Sequence, residues 1–210
     1  MIEENSSLFR EVAVSFSIVA LIGLIILTVS GVWPPLVAIE SESMEPNLSK
    51  DDLIFVVDQD RLIPEMAYDD TGIVTQETGN QTRYQSYGDG GDVIIYYPNG
   101  NTSTTPVIHR AMFWVEQGED WYDKADKDYI GDASNCEQLN NCPAPNDGFI
   151  TKGDYNTVYD QSFETSTPVS PDWILGTAEL RIPWLGWIRL LSVSLITMLM
   201  ALESRLFYPS

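Results

Sequence analysis

Cations are scarce in this chain. Eleven Lys plus Arg face 31 Asp plus Glu, a formal charge of −20 at pH 7. Such a surface repels phosphate backbones and anionic headgroups, which excludes nucleic acid as a natural partner. Histidine is scarcer still: His109 stands alone, so no metal centre can draw on several imidazoles. The two cysteines, Cys136 and Cys142, sit in the stretch "CEQLNNC", a poor setting for zinc. They either bridge within a loop, which requires an oxidising exterior, or remain free thiols. Many carboxylates with few lysines suit a surface that stays hydrated in strong salt, so a halophilic source is expected.

Ionisable side chains are missing altogether from Val12 to Ile39. As a helix, Val12 to Trp33 would be roughly 33 Å long, enough to cross a bilayer. Pro34-Pro35 is expected to end that helix, and Trp33 suits the headgroup level. A cleavable secretory signal has a shorter apolar core, about 7–15 residues, behind a basic leader. Here Glu3, Glu4 and Glu11 surround Arg10. The expectation is an uncleaved anchor, 12–33, after a cytoplasmic tail, 1–11, although the tail itself gives little positive-inside signal. Sequons at Asn80 and Asn101 would suit an exterior domain.

Long helical periodicity is absent between Asp51 and Leu180. What recurs instead are short β-type runs between turn residues: "DLIFVV" at 52–57, "DVIIYY" at 92–97, "VIHRAMFWV" at 107–115, "GFIT" at 148–151 and "WILGTAEL" at 173–180. One mainly β domain over 34–181 follows. Residues 116–147 are acidic and rich in turn formers, and read as an inserted surface loop rather than core. Within it Asp126, Asp128, Gly131, Asp132 and Glu137 come close to a calcium-loop spacing, but Ile130 stands where a ligand is needed. A solvated acidic loop is the better account. From 182 to 210 the chain is apolar again, interrupted by Arg189. Its uninterrupted part, Leu190 to Leu202, would span only roughly 20 Å as a helix, leaving a second membrane helix, an interfacial helix and a buried helix as alternatives, the first preferred.

Ser41 and Ser43 follow the anchor in "SESMEPNL", His109 lies in a strand-like run, and Asp154 and Asp160 lie in "FITKGDYNTVYD". A serine hydroxyl needs a base to take its proton and donors to hold an oxyanion; an imidazole supplies the first and a carboxylate orients it. A lone histidine is more often structural, Ser41 can simply turn the chain, and Asp154 can stabilise its glycine turn. The order of "SESMEPNLSKDDLIFV", "VIHR", "FITKGDYNTVYD" and "ILGTAELRIPWLGWI", however, resembles the boxes of type I signal peptidase, in its archaeal and endoplasmic-reticulum version. Together with the acidic surface, this points to a halophilic archaeon.

The resemblance implies a signal-peptidase-like β fold and an extracytoplasmic catalytic domain held at the cell membrane. It implies Ser43 as nucleophile, His109 as general base, Asp160 as the orienting acid and Asp154 as a further required acid. Which aspartate touches the imidazole stays open. Ser41 would assist the backbone N–H of Ser43 in the oxyanion hole. No cofactor is implied; the partners would be signal peptides of secretory preproteins, beside the export translocon. Glu42 stands where the family often has glycine, Tyr155 interrupts the usual turn, and Lys152 is an alternative base. An inactive peptide-binding membrane module and a related membrane protease with regulatory substrates are the competing accounts.

Overall fold

The computed structural model describes residues 2–163 and 165–188, with side chains described from Phe9. The chain opens with helix α1, Ile2–Ser30. Its segment Phe9–Ser30 is the one helix among the described residues long and apolar enough to cross a membrane, and its most apolar stretch is unburied while Ser30 at its end is buried. The helix stops before the expected Trp33 boundary. Gly31 takes φ +78°, the left-handed conformation that closes a helix and that a side chain resists, so termination precedes the proline pair.

Among the described residues eight strands follow: β1 (Leu36–Ala38), β2 (Leu53–Val57), β3 (Gln85–Ser86), β4 (Asp89–Gly90), β5 (Val93–Tyr96), β6 (Val107–Val115), β7 (Gly148–Lys152) and β8 (Ile174–Ile182). A short helix, α2 (Gln76–Thr82), precedes β3 and is capped by the Thr75 hydroxyl accepting from the Thr78 N–H. Six strands form one sheet in the order β1-β2-β8-β5-β6-β7, and β3 with β4 makes a separate hairpin. All five pairings in the large sheet are antiparallel. The fold is therefore mainly β behind an apolar N-terminal helix, and each of the five runs read from the sequence falls on a strand. Too short for periodicity to register, β1, β3, β4 and α2 have no counterpart in those runs.

Alternation along the strands sends apolar side chains to both faces of the sheet. Ile54, Val56, Val93 and Ile95 pack with Met44 and Leu48 on one face, while Ile94, Tyr96, Ala111 and Phe149 pack on the other. Each such side chain contributes about 1.5–3 kcal/mol when fully buried.

The 116–147 segment corrects an expectation. It is acidic outside, yet Trp121, Ile130, Leu139 and Ala144 are buried in a third cluster with Phe113 and Tyr159. Trp121 is fully buried, and its indole N–H donates to the Asn141 carbonyl at 2.7 Å. A few large apolar residues among many charges suffice to dock a loop, because each removes far more surface from water than its frequency suggests. Cys136 and Cys142 are joined in a disulfide. The calcium-like stretch is a 3-10 turn, Lys127–Tyr129, with the Asp126 side chain accepting from the Asp128 N–H. Strand β8 extends to Ile182, so the apolar C-terminal segment begins inside the sheet. The membrane helix expected in 182–210 falls mostly outside the described residues.

Candidate functional site

The alternation of β6 separates two neighbouring residues that carry charge or can acquire it. His109 and Arg110 point to opposite faces. Register places Val107 opposite Tyr96 and Ala111 opposite Thr151, so Tyr96, His109 and Thr151 share a face. Arg110 is opposite Lys152 on the other face. The sheet thus sorts the two aspartates that sequence left undivided.

Asp160 takes the histidine. Its Oδ2 lies 2.6 Å from His109 Nδ1, and it accepts from the Thr151 hydroxyl at 2.7 Å and the Tyr96 hydroxyl at 3.0 Å. Asp160, His109, Thr151 and Tyr96 are all buried. Burial and then the Asp160 charge push the Tyr96 phenol well above its ordinary pKa, so it remains a donor to the carboxylate. A carboxylate facing Nδ1 assigns the ring proton to that nitrogen and leaves the Nε2 lone pair outward. That lone pair faces Ser43, whose Oγ is 3.0 Å from Nε2. Ser41 Oγ stands 3.0 Å from Ser43 Oγ.

Asp154 belongs to a different arrangement. It receives Arg110 Nε at 2.8 Å and Arg110 Nη2 at 2.7 Å, with Asn47 Nδ2 donating at 2.8 Å. The Arg110 side chain has no solvent exposure, and its Nη1 donates to the Ser86 and Gly91 carbonyls, each at 2.8 Å. The bidentate pair fixes the turn that follows β7. That turn in turn holds Ser43: the Tyr155 N–H donates to the Ser43 carbonyl at 2.9 Å. A side chain at Gly153 would meet that carbonyl at 2.5 Å, which explains the glycine. From the other side Met44 and Leu48 are buried, pinning the segment that carries the serine.

Three positions singled out in the sequence are placed as follows. Glu42 is exposed. Tyr155 uses its backbone for the contact with Ser43 while its side chain is 70% exposed. Lys152 is buried, and burial lowers its pKa, but its ammonium donates to the carbonyls of Gly153 at 2.8 Å, Asn156 at 3.0 Å and Asp154 at 3.3 Å. Three carbonyls around one nitrogen favour the protonated form, so Lys152 acts as a tie across the turn. Sequence reasoning named neither Tyr96 nor Thr151, nor Asn47 as the Asp154 partner. A buried strand tyrosine and a strand arginine each demand a polar partner; that demand is legible, whereas the partner's identity is not.

A cleft of about 730 Å³ opens beside this arrangement, lined by Ser41, Ser43 and His109 together with Pro34, Val37 and Pro106 among its walls. One wall is β1, at the edge of the sheet; the other is the entry to β6. Chemically, the arrangement can deprotonate a serine next to an apolar groove. A scan of known protein families finds no match to this chain, and a search of curated proteins finds none either.

Proposed function

We propose that this chain is a membrane-anchored serine endopeptidase of the type I signal peptidase kind, in the Ser-His-Asp version, which removes signal peptides from exported preproteins on the extracytoplasmic side of the cell membrane. The observation that carries the reading is the continuous contact from Asp160 through His109 to Ser43 at the floor of a mostly apolar cleft. Supporting it are the sequence boxes, which contribute Ser43, His109 and Asp160 to one place, and the apolar helix that leads into the cleft wall at Pro34.

In this mechanism Ser43 Oγ attacks the scissile carbonyl as its proton passes to His109 Nε2. The imidazolium so formed keeps its Nδ1–H on Asp160, whose charge is stabilised in advance by Thr151 and Tyr96. The oxyanion takes hydrogen bonds from the Ser41 hydroxyl and the Ser43 backbone N–H. His109 then returns the proton to the leaving amine, and water hydrolyses the acyl-serine by the same route. An extended peptide would bind by adding alongside the β1 edge, with shallow apolar pockets admitting small side chains at alternate positions. The acidic partner in the triad is Asp160; Asp154 acts on the framework that holds Ser43. Proximity to the export translocon follows from the same substrate.

The test is cleavage of a preprotein with an A-x-A site, in detergent and high salt, by wild type, Ser43→Ala and His109→Ala. Cleavage by wild type that is lost in both variants supports the reading. Binding of the preprotein without cleavage by wild type would sink it in favour of a peptide-binding module.

A further inference from the structure

The peptide that carries Asp160 runs along the outer edge of β7, the last strand of the sheet, and the acidic insert closes over it. The Asp160 N–H donates to the Thr151 carbonyl at 2.9 Å. The next residue, Gln161, has no solvent exposure, and a buried amide needs partners for both its oxygen and its nitrogen. Its oxygen accepts from the Thr151 N–H at 2.8 Å, and its nitrogen donates to the Thr151 hydroxyl at 3.3 Å. The second bond has a directional effect. With a donor on its lone pair, the Thr151 oxygen turns its one hydrogen toward Asp160, to which it donates at 2.7 Å. Gln161 thus sets the hydroxyl that steadies the carboxylate facing His109. Gln161 is itself held from the insert: its backbone carbonyl accepts from the Asn141 side-chain amide at 2.9 Å, while the Asn141 carbonyl accepts from the buried Trp121 indole. Asn141 has φ +54°, a left-handed conformation that a non-glycine residue leaves unless its surroundings hold it there. It directly precedes Cys142, whose disulfide to Cys136, six positions away in sequence, removes the open conformations into which the turn would relax.

We propose that Asn141 and Gln161 are positioning residues for Asp160 and that the disulfide keeps Asn141 on its target, so that the redox state of this cysteine pair sets the rate of turnover. This deepens the peptidase reading and rests on it. Reduction by a dithiol transfers two electrons and two protons: the bond between Cys136 and Cys142 breaks, each sulfur gains a hydrogen, and the reductant closes into its own disulfide. The freed loop relaxes from the left-handed turn, and the Gln161 carbonyl loses its partner in the insert. Asp160 is then held less closely against the imidazole it orients. None of Cys136, Asn141, Cys142 and Gln161 lines the cleft, so the loss falls on kcat and leaves KM alone.

The test compares full-length wild type and Asn141→Gly in detergent and high salt, before and after dithiothreitol, with thiol titration to follow reduction. Glycine accepts the φ of Asn141, so this variant loses the amide donor and keeps the turn. The pair Cys136→Ser and Cys142→Ser opens the loop independently of reductant access. Preprotein cleavage is measured at a temperature where every protein is folded. Reduction of wild type should lower kcat about tenfold with KM unchanged, and reoxidation should restore it. Asn141→Gly should start at the lowered kcat and fall no further on reduction, because both perturbations remove the same contact. A normal kcat in Asn141→Gly, or in both reduced wild type and the serine pair, overturns the proposal and leaves the peptidase reading standing. Equal fold losses on reduction in wild type and Asn141→Gly, or a change confined to KM, overturn it as well. No cleavage by oxidised wild type overturns the peptidase reading and this proposal together.

Discussion

Replacing each of the two aspartates by alanine separates their roles. Asp154→Ala leaves the Arg110 guanidinium, with no solvent exposure, without its carboxylate. Breaking one side of a buried, bidentate pair typically costs about 3–5 kcal/mol, because the remaining charge stays desolvated. The Asn47 amide loses its acceptor as well. For a domain of this size the melting temperature should fall by roughly 10 °C. Asp160→Ala removes an acceptor from the Tyr96 and Thr151 hydroxyls and from the His109 ring, and strands no permanently charged guanidinium. Its cost should be about 1–3 kcal/mol, while turnover falls on the order of 10³-fold or more. The assay is thermal unfolding of both purified variants in detergent and high salt, paired with preprotein cleavage at a temperature where both are folded. A normal melting temperature in Asp154→Ala, or a larger loss in Asp160→Ala than in Asp154→Ala, would refute this division of labour.

Two further outcomes are expected. Asp92 is buried beneath α2, accepting from the Val74 N–H at 2.8 Å and the Tyr84 hydroxyl at 2.7 Å, and burial raises its pKa to about 6 from 3.8. The folded value exceeds the unfolded one, so ionisation opposes folding: the penalty is absent below pH 3.8, grows through the window between the two values and is complete above about pH 6. Asp92→Asn should gain stability relative to wild type by roughly 2–3 kcal/mol between pH 4 and pH 7.5, and parallel unfolding curves across that range would contradict it. Tyr129, from the acidic insert, lies under the Lys152 ammonium at 4.5 Å, and its carbonyl accepts from the Tyr159 N–H at 2.9 Å. It thus backs both the turn that holds Ser43 and the residue next to Asp160; Tyr129→Leu should lower kcat about tenfold with KM unchanged while Tyr129→Phe retains it, and an effect confined to KM would point elsewhere.

Sequence by itself determined the β class and the apolar N-terminal helix, and it named the serine, histidine and aspartates that the fold brings together. Alternating apolar runs such as "DLIFVV" can bury two faces only as strands, and an uncharged run of that length is suited to a bilayer. Ser43, His109 and Asp160 were legible only through a resemblance of short stretches of sequence. No local pattern distinguishes Asp154 from Asp160, since both follow the same strand. Tertiary structure decided it through the period-two geometry of β6, which turns His109 and Arg110 to opposite faces and thereby gives each its own aspartate. Register likewise decided that Tyr96 and Thr151 join Asp160, because cross-strand neighbours depend on pairing that no local pattern encodes. The acidic insert was misjudged for a related reason. Its average composition is that of a solvated loop, but Trp121, Ile130 and Leu139 are brought together by turns, and burial is a property of where side chains converge in space.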